Sequence, residues 1–257
     1  MKTALVFPPQ WYPSQPYLAL PTLTAYLQAQ GHEVEQFDFN VESYDKFLTR
    51  GYLEQCVETV RRRLSRTEKT ESDREAEPVF REILSDTDYL ESVLSEVEDA
   101  KNILRDEERF FQFPVYKRGY TTLKVAMKLI SYAHYPSRLD LESFFMQGNP
   151  EENLEGILSA IRDTDKNPFI SMYEDHLLGL SDWTRFGLVG ISIIHVGQVI
   201  PALTLSRLLR EKYPHLHLVI GGSVFARHAN ILDNKQILFE EIFHSIILFE
   251  GEHPLDQ

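Results

Sequence analysis

Residues Leu188 to Gly222, LVGISIIHVGQVIPALTLSRLLREKYPHLHLVIGG, decide the fold. An apolar run of strand length leads through a loop into a helical stretch. Ile200, Leu203, Leu208 and Leu209 form the buried stripe of that helix, and a second apolar run ends in Gly221-Gly222. This is one complete βαβ unit. Such units build parallel sheets whose ligands sit beyond the carboxyl ends of the strands. The loop Ser192 to Gln198 and the turn Gly221-Gly222-Ser223 lie at those ends, so a function is expected there.

The same pattern recurs at both termini. Thr3 to Phe7 is a short apolar run stopped by Pro8-Pro9, which suits a buried parallel strand. Leu20, Leu23, Tyr26 and Leu27 then form a helical stripe, Gly31 closes it, and Val34 to Phe39 starts another strand. Ser245 to Phe249 supplies a fifth run, followed by the polar turn Glu250-Gly251-Glu252. The expectation is an α/β domain over residues 1–257. Its core is a doubly wound five-stranded parallel sheet of order 2-1-3-4-5, built from residues 1–40 and 183–257.

Residues 41–182 read as a large helical insertion. Apolar residues recur there at spacings of three and four: Leu53, Val57, Val60, Leu64; Ile83, Leu90, Leu94, Val97, Leu104; Leu154, Leu158, Ile161. Asn149-Pro150-Glu151-Glu152 carries a cap, a first-turn proline and two acids, and Asn167-Pro168 repeats the helix-start signal. Val41 to Leu180 holds 28 acidic and 19 basic residues, so most of the chain's net charge of -13 resides there. Charge runs such as Arg61-Arg62-Arg63 and Asp106-Glu107-Glu108 read as solvated helix faces, and the polar stretch Ser65 to Glu77 as a loose loop.

Composition removes several classes of function. Net negative charge argues against a nucleic-acid partner. A single cysteine, Cys56, rules out a disulfide framework, a Cys-rich zinc site and an iron-sulfur cluster bound by this chain alone; its place in an apolar stripe marks a small core residue. No apolar run approaches the roughly 20 residues that span a bilayer. The amino terminus begins with a strand pattern instead of a signal peptide, so a cytoplasmic protein without membrane contact is expected.

The strand-end loops carry little acid-base chemistry. The first loop, Pro8-Pro9-Gln10-Trp11-Tyr12-Pro13, has no glycine-rich phosphate cradle, which disfavours a nucleotide-binding enzyme, and offers a flat apolar wall. After the third strand, Ser192 offers a hydroxyl, Ile193 and Ile194 hydrocarbon surface, and Gln198 an amide. His195 lacks a paired acid or nucleophile and reads as a packing or hydrogen-bonding residue. Gly221-Gly222 allows close backbone approach, Ser223 can cap a helix or bond a ligand, and Glu250-Gly251-Glu252 can accept hydrogen bonds.

Taken in order, the segments ALVFPP, LALPTLTAYLQAQGHEVEQFDFN, NPF, LVGIS, QVIPALTLSRLLREKYP, LVIGGS and FEGEHPL resemble the amino-terminal cobalamin-binding domain of cobalamin-binding radical S-adenosylmethionine enzymes. The resemblance implies a Rossmann-like, flavodoxin-like fold whose helical insertion is a family feature. It implies that Ser192, Ile193 and Ile194 line a groove for the nucleotide tail. Gly221 and Gly222 would admit the dimethylbenzimidazole, and Glu250, Gly251 and Glu252 would close over it. Gln198 and Ser223 border the groove, and the corrin would rest on Pro8, Pro9, Gln10 and Tyr12. A bulky residue at Gly222 is then expected to block tail entry. The Asp-x-His-x-x-Gly signature of the wider superfamily is replaced by Pro8-Pro9-Gln10, so no histidine-ligated cobalt is implied. No Cys-x-x-x-Cys-x-x-Cys motif is present, so the implied partner is a radical barrel domain in cis or trans. The rival expectation is a ligand-free fold of this type that docks a radical enzyme or substrate peptide through the acidic helical insertion.

Overall fold

The computed structural model describes residues 2–148, 150–227 and 236–256. Strand β1 (Lys2–Phe7) is followed by helix α1 (Ala19–Ala29) and strand β2 (Glu33–Asp38). Gly31 stands just beyond α1 at φ +92°, and the amide of His32 donates back to the Leu27 carbonyl at 3.0 Å, so the expected glycine stop is a Schellman-type turn. Helix α2 (Phe39–Phe47) carries the chain into the helices α3 (Arg50–Ser65), α4 (Glu71–Ser85), α5 (Thr87–Arg105) and α6 (Phe113–Ala133). A two-stranded antiparallel ladder, β3 (Arg138–Leu139) with β4 (Phe144–Phe145), closes this part. Helices α7 (Leu154–Ala160) and α8 (Phe169–Asp175) precede β5 (Leu188–Ser192), α9 (Val199–Lys212) and β6 (His217–Gly221). The described chain finishes with α10 (Ser223–Arg227), α11 (Gln236–Glu241), β7 (Ser245–Ile247) and α12 (Glu252–Asp256).

The sheet is five-stranded and parallel throughout, in the order β2-β1-β5-β6-β7. From β1 to β2 the chain steps one way along the sheet, and from β5 through β6 to β7 it steps the other. Right-handed crossovers therefore put α1 on one face and α9 on the opposite one. This is the doubly wound arrangement expected from the sequence. Leu5 and Phe7 pack against Leu20 and Leu27 of α1. Helix α9 is more deeply enclosed than its stripe suggests, with residues Val199 to Ser206 all buried.

The chain divides into two compact units, residues 1–43 with 148–257, and 44–147. The separate helical part is thus shorter than the expected 41–182. Residues beyond 148 fold with the sheet because their polar groups are tied to it: the Asn167 amide donates to Thr204 Oγ1 of α9 at 2.9 Å, and Arg207 Nε donates to the Ile161 carbonyl at 3.1 Å. Asn149, expected to cap a helix, lies outside the described residues; the cap of α7 is Asn153, whose Oδ1 accepts from Gly156 N at 2.7 Å.

In the helical unit two expectations are corrected. The stretch Ser65 to Glu77 is mostly not a loop, because Thr70 and Asp73 form a reciprocal capping box that starts α4 at Glu71. The run Arg61-Arg62-Arg63 is not uniformly solvated: Arg63 is buried, and its Nε donates to Asp73 Oδ1 at 2.7 Å. Cys56 is buried as expected, and burial pushes its thiol up to about 12. Buried Gly119 lets α6 approach α5 closely, since a Cβ there would lie 3.3 Å from Ile103.

Candidate functional site

The carboxyl ends of β5, β6 and β7 open onto a cleft of about 290 Å³ on the α1 face of the sheet. Alternation along the strands turns Gly190 and Ser192 of β5, and Val219 and Gly221 of β6, toward this face, while Leu218 and Ile220 face α9. Two of its lining positions, Gly190 and Gly221, carry no side chain because neighbouring strands press close there. At Gly190 even a Cβ would come within 3.0 Å of Leu5 Cδ2, and at Gly221 within 3.4 Å of the Ile247 carbonyl oxygen. Glycine inside a strand marks such a close approach. One wall is the first turns of α1, with Leu18, Ala19 and Leu23; the other is Phe249 to Glu252 with Leu255 of α12.

That second wall is fastened to α1 rather than to the sheet. Leu255 packs on the Leu5, Phe7, Leu20 and Leu27 cluster, Tyr26 Oη lies 3.1 Å from His253 Nδ1, and His32 Nε2 lies 2.8 Å from Asp256 Oδ1. Close approach is again secured by glycine, because a Cβ on Gly251 would sit 3.2 Å from Leu23 Cδ2. The lining is mainly hydrocarbon with polar groups at the mouth: the Ser192 hydroxyl and the carboxylates of Glu250 and Glu252. Two large apolar side chains at the cleft stand open to solvent, Leu18 at 71 % and Phe249 at 81 %.

The structure brings together six of the expected site residues, Ser192, Gly221, Gly222, Glu250, Gly251 and Glu252, around this cleft. Pro8, Pro9 and Gln10 are buried and do not line it, so the flat face left by the first loop is half-buried Trp11 and Tyr12. Gln198 is also buried: its Nε2 donates to the Pro8 carbonyl at 2.8 Å, and its Oε1 accepts from Ile194 N at 2.9 Å and His195 N at 3.2 Å. It ties the loops after β1 and β5 together. Ile193 is fully buried, half-buried Ile194 packs against the Leu5–Phe7 cluster, and exposed Ser223 donates to the Ile194 carbonyl at 3.3 Å. His195 has the structural role expected of it, its Nδ1 accepting from Gly197 N at 3.2 Å.

Gly222 requires a correction of its own. It sits at φ +109°, and a Cβ there would be 2.2 Å from the Ile193 carbonyl oxygen. The two loops are pressed backbone to backbone, with Ile193 N donating to the Gly221 carbonyl at 2.7 Å. Any side chain at this position separates the loops before it reaches a ligand. Missed by the sequence reading were Leu5, Gly190, Val219, Leu23 and Leu255. A signal existed for Gly190, which stands two residues before Ser192 and so shares its face.

Among the described residues no group of three His, Cys, Asp or Glu side chains could hold a metal ion, and no helix is long and apolar enough to cross a membrane. No protein-family model, curated protein or solved structure matches this chain.

Proposed function

We propose that the cleft receives the nucleotide tail of a cobalamin, and that the chain serves as the cobalamin-binding part of a methyl-transferring radical S-adenosylmethionine system. The observation that supports this reading is the small, mainly hydrocarbon cleft at the carboxyl ends of β5 and β6, lined by Leu5, Leu23 and Val219 beside Gly190 and Gly221 and sized for one flat ring. The volume suits a bicyclic heterocycle and is too small for a corrin. The macrocycle would therefore remain outside, against Trp11 and Tyr12.

When bound, the cofactor supplies the transferable methyl group; the chain's own residues bind, orient and exclude water. The Ser192 hydroxyl and the Glu250 and Glu252 carboxylates stand at the mouth, where they can bond the amide and hydroxyl groups of the tail. Solvent-exposed Leu18 and Phe249 are the residues that a barrel partner would cover. They also favour a second reading, a ligand-free fold that docks a partner protein at the same mouth.

An absorbance titration with hydroxocobalamin and methylcobalamin, followed by gel filtration, tests the proposal. A spectral shift and co-elution of the corrin are expected, and both should be lost in Ala19→Trp, which fills the cleft from α1 without touching strand backbone. Absence of a shift with a folded chain overturns the proposal. Co-elution with a radical barrel protein in the absence of corrin would then favour the docking reading.

A further inference from the structure

Charge is segregated within the helical unit. From Arg109 to Arg138 the chain carries six basic residues and no acidic one, whereas residues 71–99 carry eleven acids and two bases. On α6 the exposed positions Phe113, Lys117, Thr121, Lys124 and Lys128 follow spacings of four, four, three and four, which place them in one stripe. Phe111, 82 % exposed, and Phe113, 70 % exposed, form its apolar end. On α4 the exposed residues Glu71, Glu75, Val79 and Glu82 follow spacings of four, four and three, an equally narrow stripe of the opposite sign with its own apolar residue.

These charges are not consumed internally. Among the described residues no ion pair engages Lys117, Lys124, Lys128, Glu71, Glu75 or Glu82, although Glu77, Asp73 and Asp99 of the same unit are all paired. Lys124 does lie over the Tyr120 ring, 5.8 Å from its centre.

We propose that the chain self-associates through these two stripes, the basic stripe of α6 in one copy lying on the acidic stripe of α4 in another. The acidic surface that complements α6 is thus one the chain itself displays. Both stripes belong to one compact unit, so a two-fold dimer would repeat the contact, each copy giving its basic stripe to the other's acidic one. One such contact, limited to about 16 Å by the α4 stripe on a helix about 10 Å wide, is too small for a stable interface. Two of them bury about half of the roughly 1,200 Å² at which stable specific interfaces begin, which fits a weak, reversible dimer. Phe111 and Phe113 reach Val79 and its surroundings, and the charges set register and association rate.

Sedimentation of the full chain across a range of protein concentrations and salt gives the test. A reversible dimer is expected at low salt, weakening at least about tenfold at high salt. K117E/K124E/K128E and E75K/E82K should each be monomeric with unchanged helical content by circular dichroism. Mixed in equal amounts, the two variants should form a heterodimer, which misfolded chains would not. A wild-type chain that stays monomeric at every concentration overturns the proposal, and so does a dimer indifferent to both variants or a mixture that fails to associate. Monomeric chain that binds phosphatidylserine vesicles or a single-stranded oligonucleotide through the same lysines would assign the α6 stripe to another occupant.

Discussion

The sheet unit and the helical unit solve the same problem, how to bury the polar groups that join their elements, by different chemistry. In the sheet unit the buried connectors are neutral amides: Gln198 joins the loops after β1 and β5, Asn167 bonds the Ala160 carbonyl and Thr204, and Asn40 Oδ1 accepts from Trp11 N at 2.8 Å. In the helical unit the Ser131 and Tyr44 hydroxyls bond the backbone of Leu139 and Leu141, but the connector with the most partners is an ion pair. Arg63 reaches Asp73 and also donates to the carbonyls of Ala133 at 3.1 Å and Tyr135 at 3.0 Å, with its guanidinium 5.4 Å from the Phe80 ring centre. Neutral amides tolerate loss of a partner better than a buried charge does. The two units should therefore differ in how sharply they fail.

The largest effect follows from breaking the ion pair. Arg63→Met leaves the Asp73 carboxylate buried without its main partner, and such a loss costs about 3–5 kcal/mol. Both tryptophans of the chain, Trp11 and Trp183, lie in the sheet unit, so their fluorescence follows that unit alone. Urea titration of the variant should show ellipticity lost early while the tryptophan transition stays near its wild-type midpoint. If both signals move together, the units do not fail independently and the contrast collapses. The converse substitution, Gln198→Leu, strips Pro8 O, Ile194 N and His195 N of their partner and should cost a smaller amount, about 1–3 kcal/mol. Here the Trp11 signal should shift together with the part of the ellipticity that α1 and α7 to α12 contribute, while the part from α3 to α6 should not.

What the sequence disclosed follows the same division. Strand order and the doubly wound connection were legible because apolar runs and Gly or Pro stops are local signals, and the handedness rule does the rest. The glycine turns of the site were legible for the same reason. Pro8, Pro9, Gln10 and Gln198 were misplaced because a residue at a strand end can face the ligand side or bridge two loops, and only the register of distant strands decides which. Asp73 and Arg63 were misread because a capping box with Asp at its third position looks like a polar loop, and an arginine triplet looks solvated. Their pairing links residues ten apart through a turn that neither periodicity nor charge counting resolves.

The smallest effect separates the units by pH. Burial pushes the Asp73 carboxyl up, but hydrogen bonds from Arg63 and Thr70 and the Arg63 charge outweigh it, and the net shift is below the ordinary 3.8. Its contribution is present above that value and is lost as pH falls through the lower folded value. His244 behaves alike in a different window. Desolvation, aided by the charges of Arg210 and His217, lowers it from 6.5, and its Nδ1 accepts from Leu218 N at 3.0 Å, a bond that protonation abolishes. The unfolded chain then binds the proton more readily than the folded one, so stability declines as pH drops from 6.5 through the folded value. On acidification the tryptophan-reported midpoint of the sheet unit should begin to fall below pH 6.5, and the helical unit's share of the ellipticity only below pH 4.5. There the unfolded-state protonation of Glu77, lowered by its hydrogen bonds from Lys69 and Arg81, sets in ahead of that of Asp73. His244→Gln keeps a side-chain acceptor without a titrating ring, and should flatten the first decline while leaving the second in place. A first decline that persists in this variant would place the sheet unit's proton-sensitive group elsewhere.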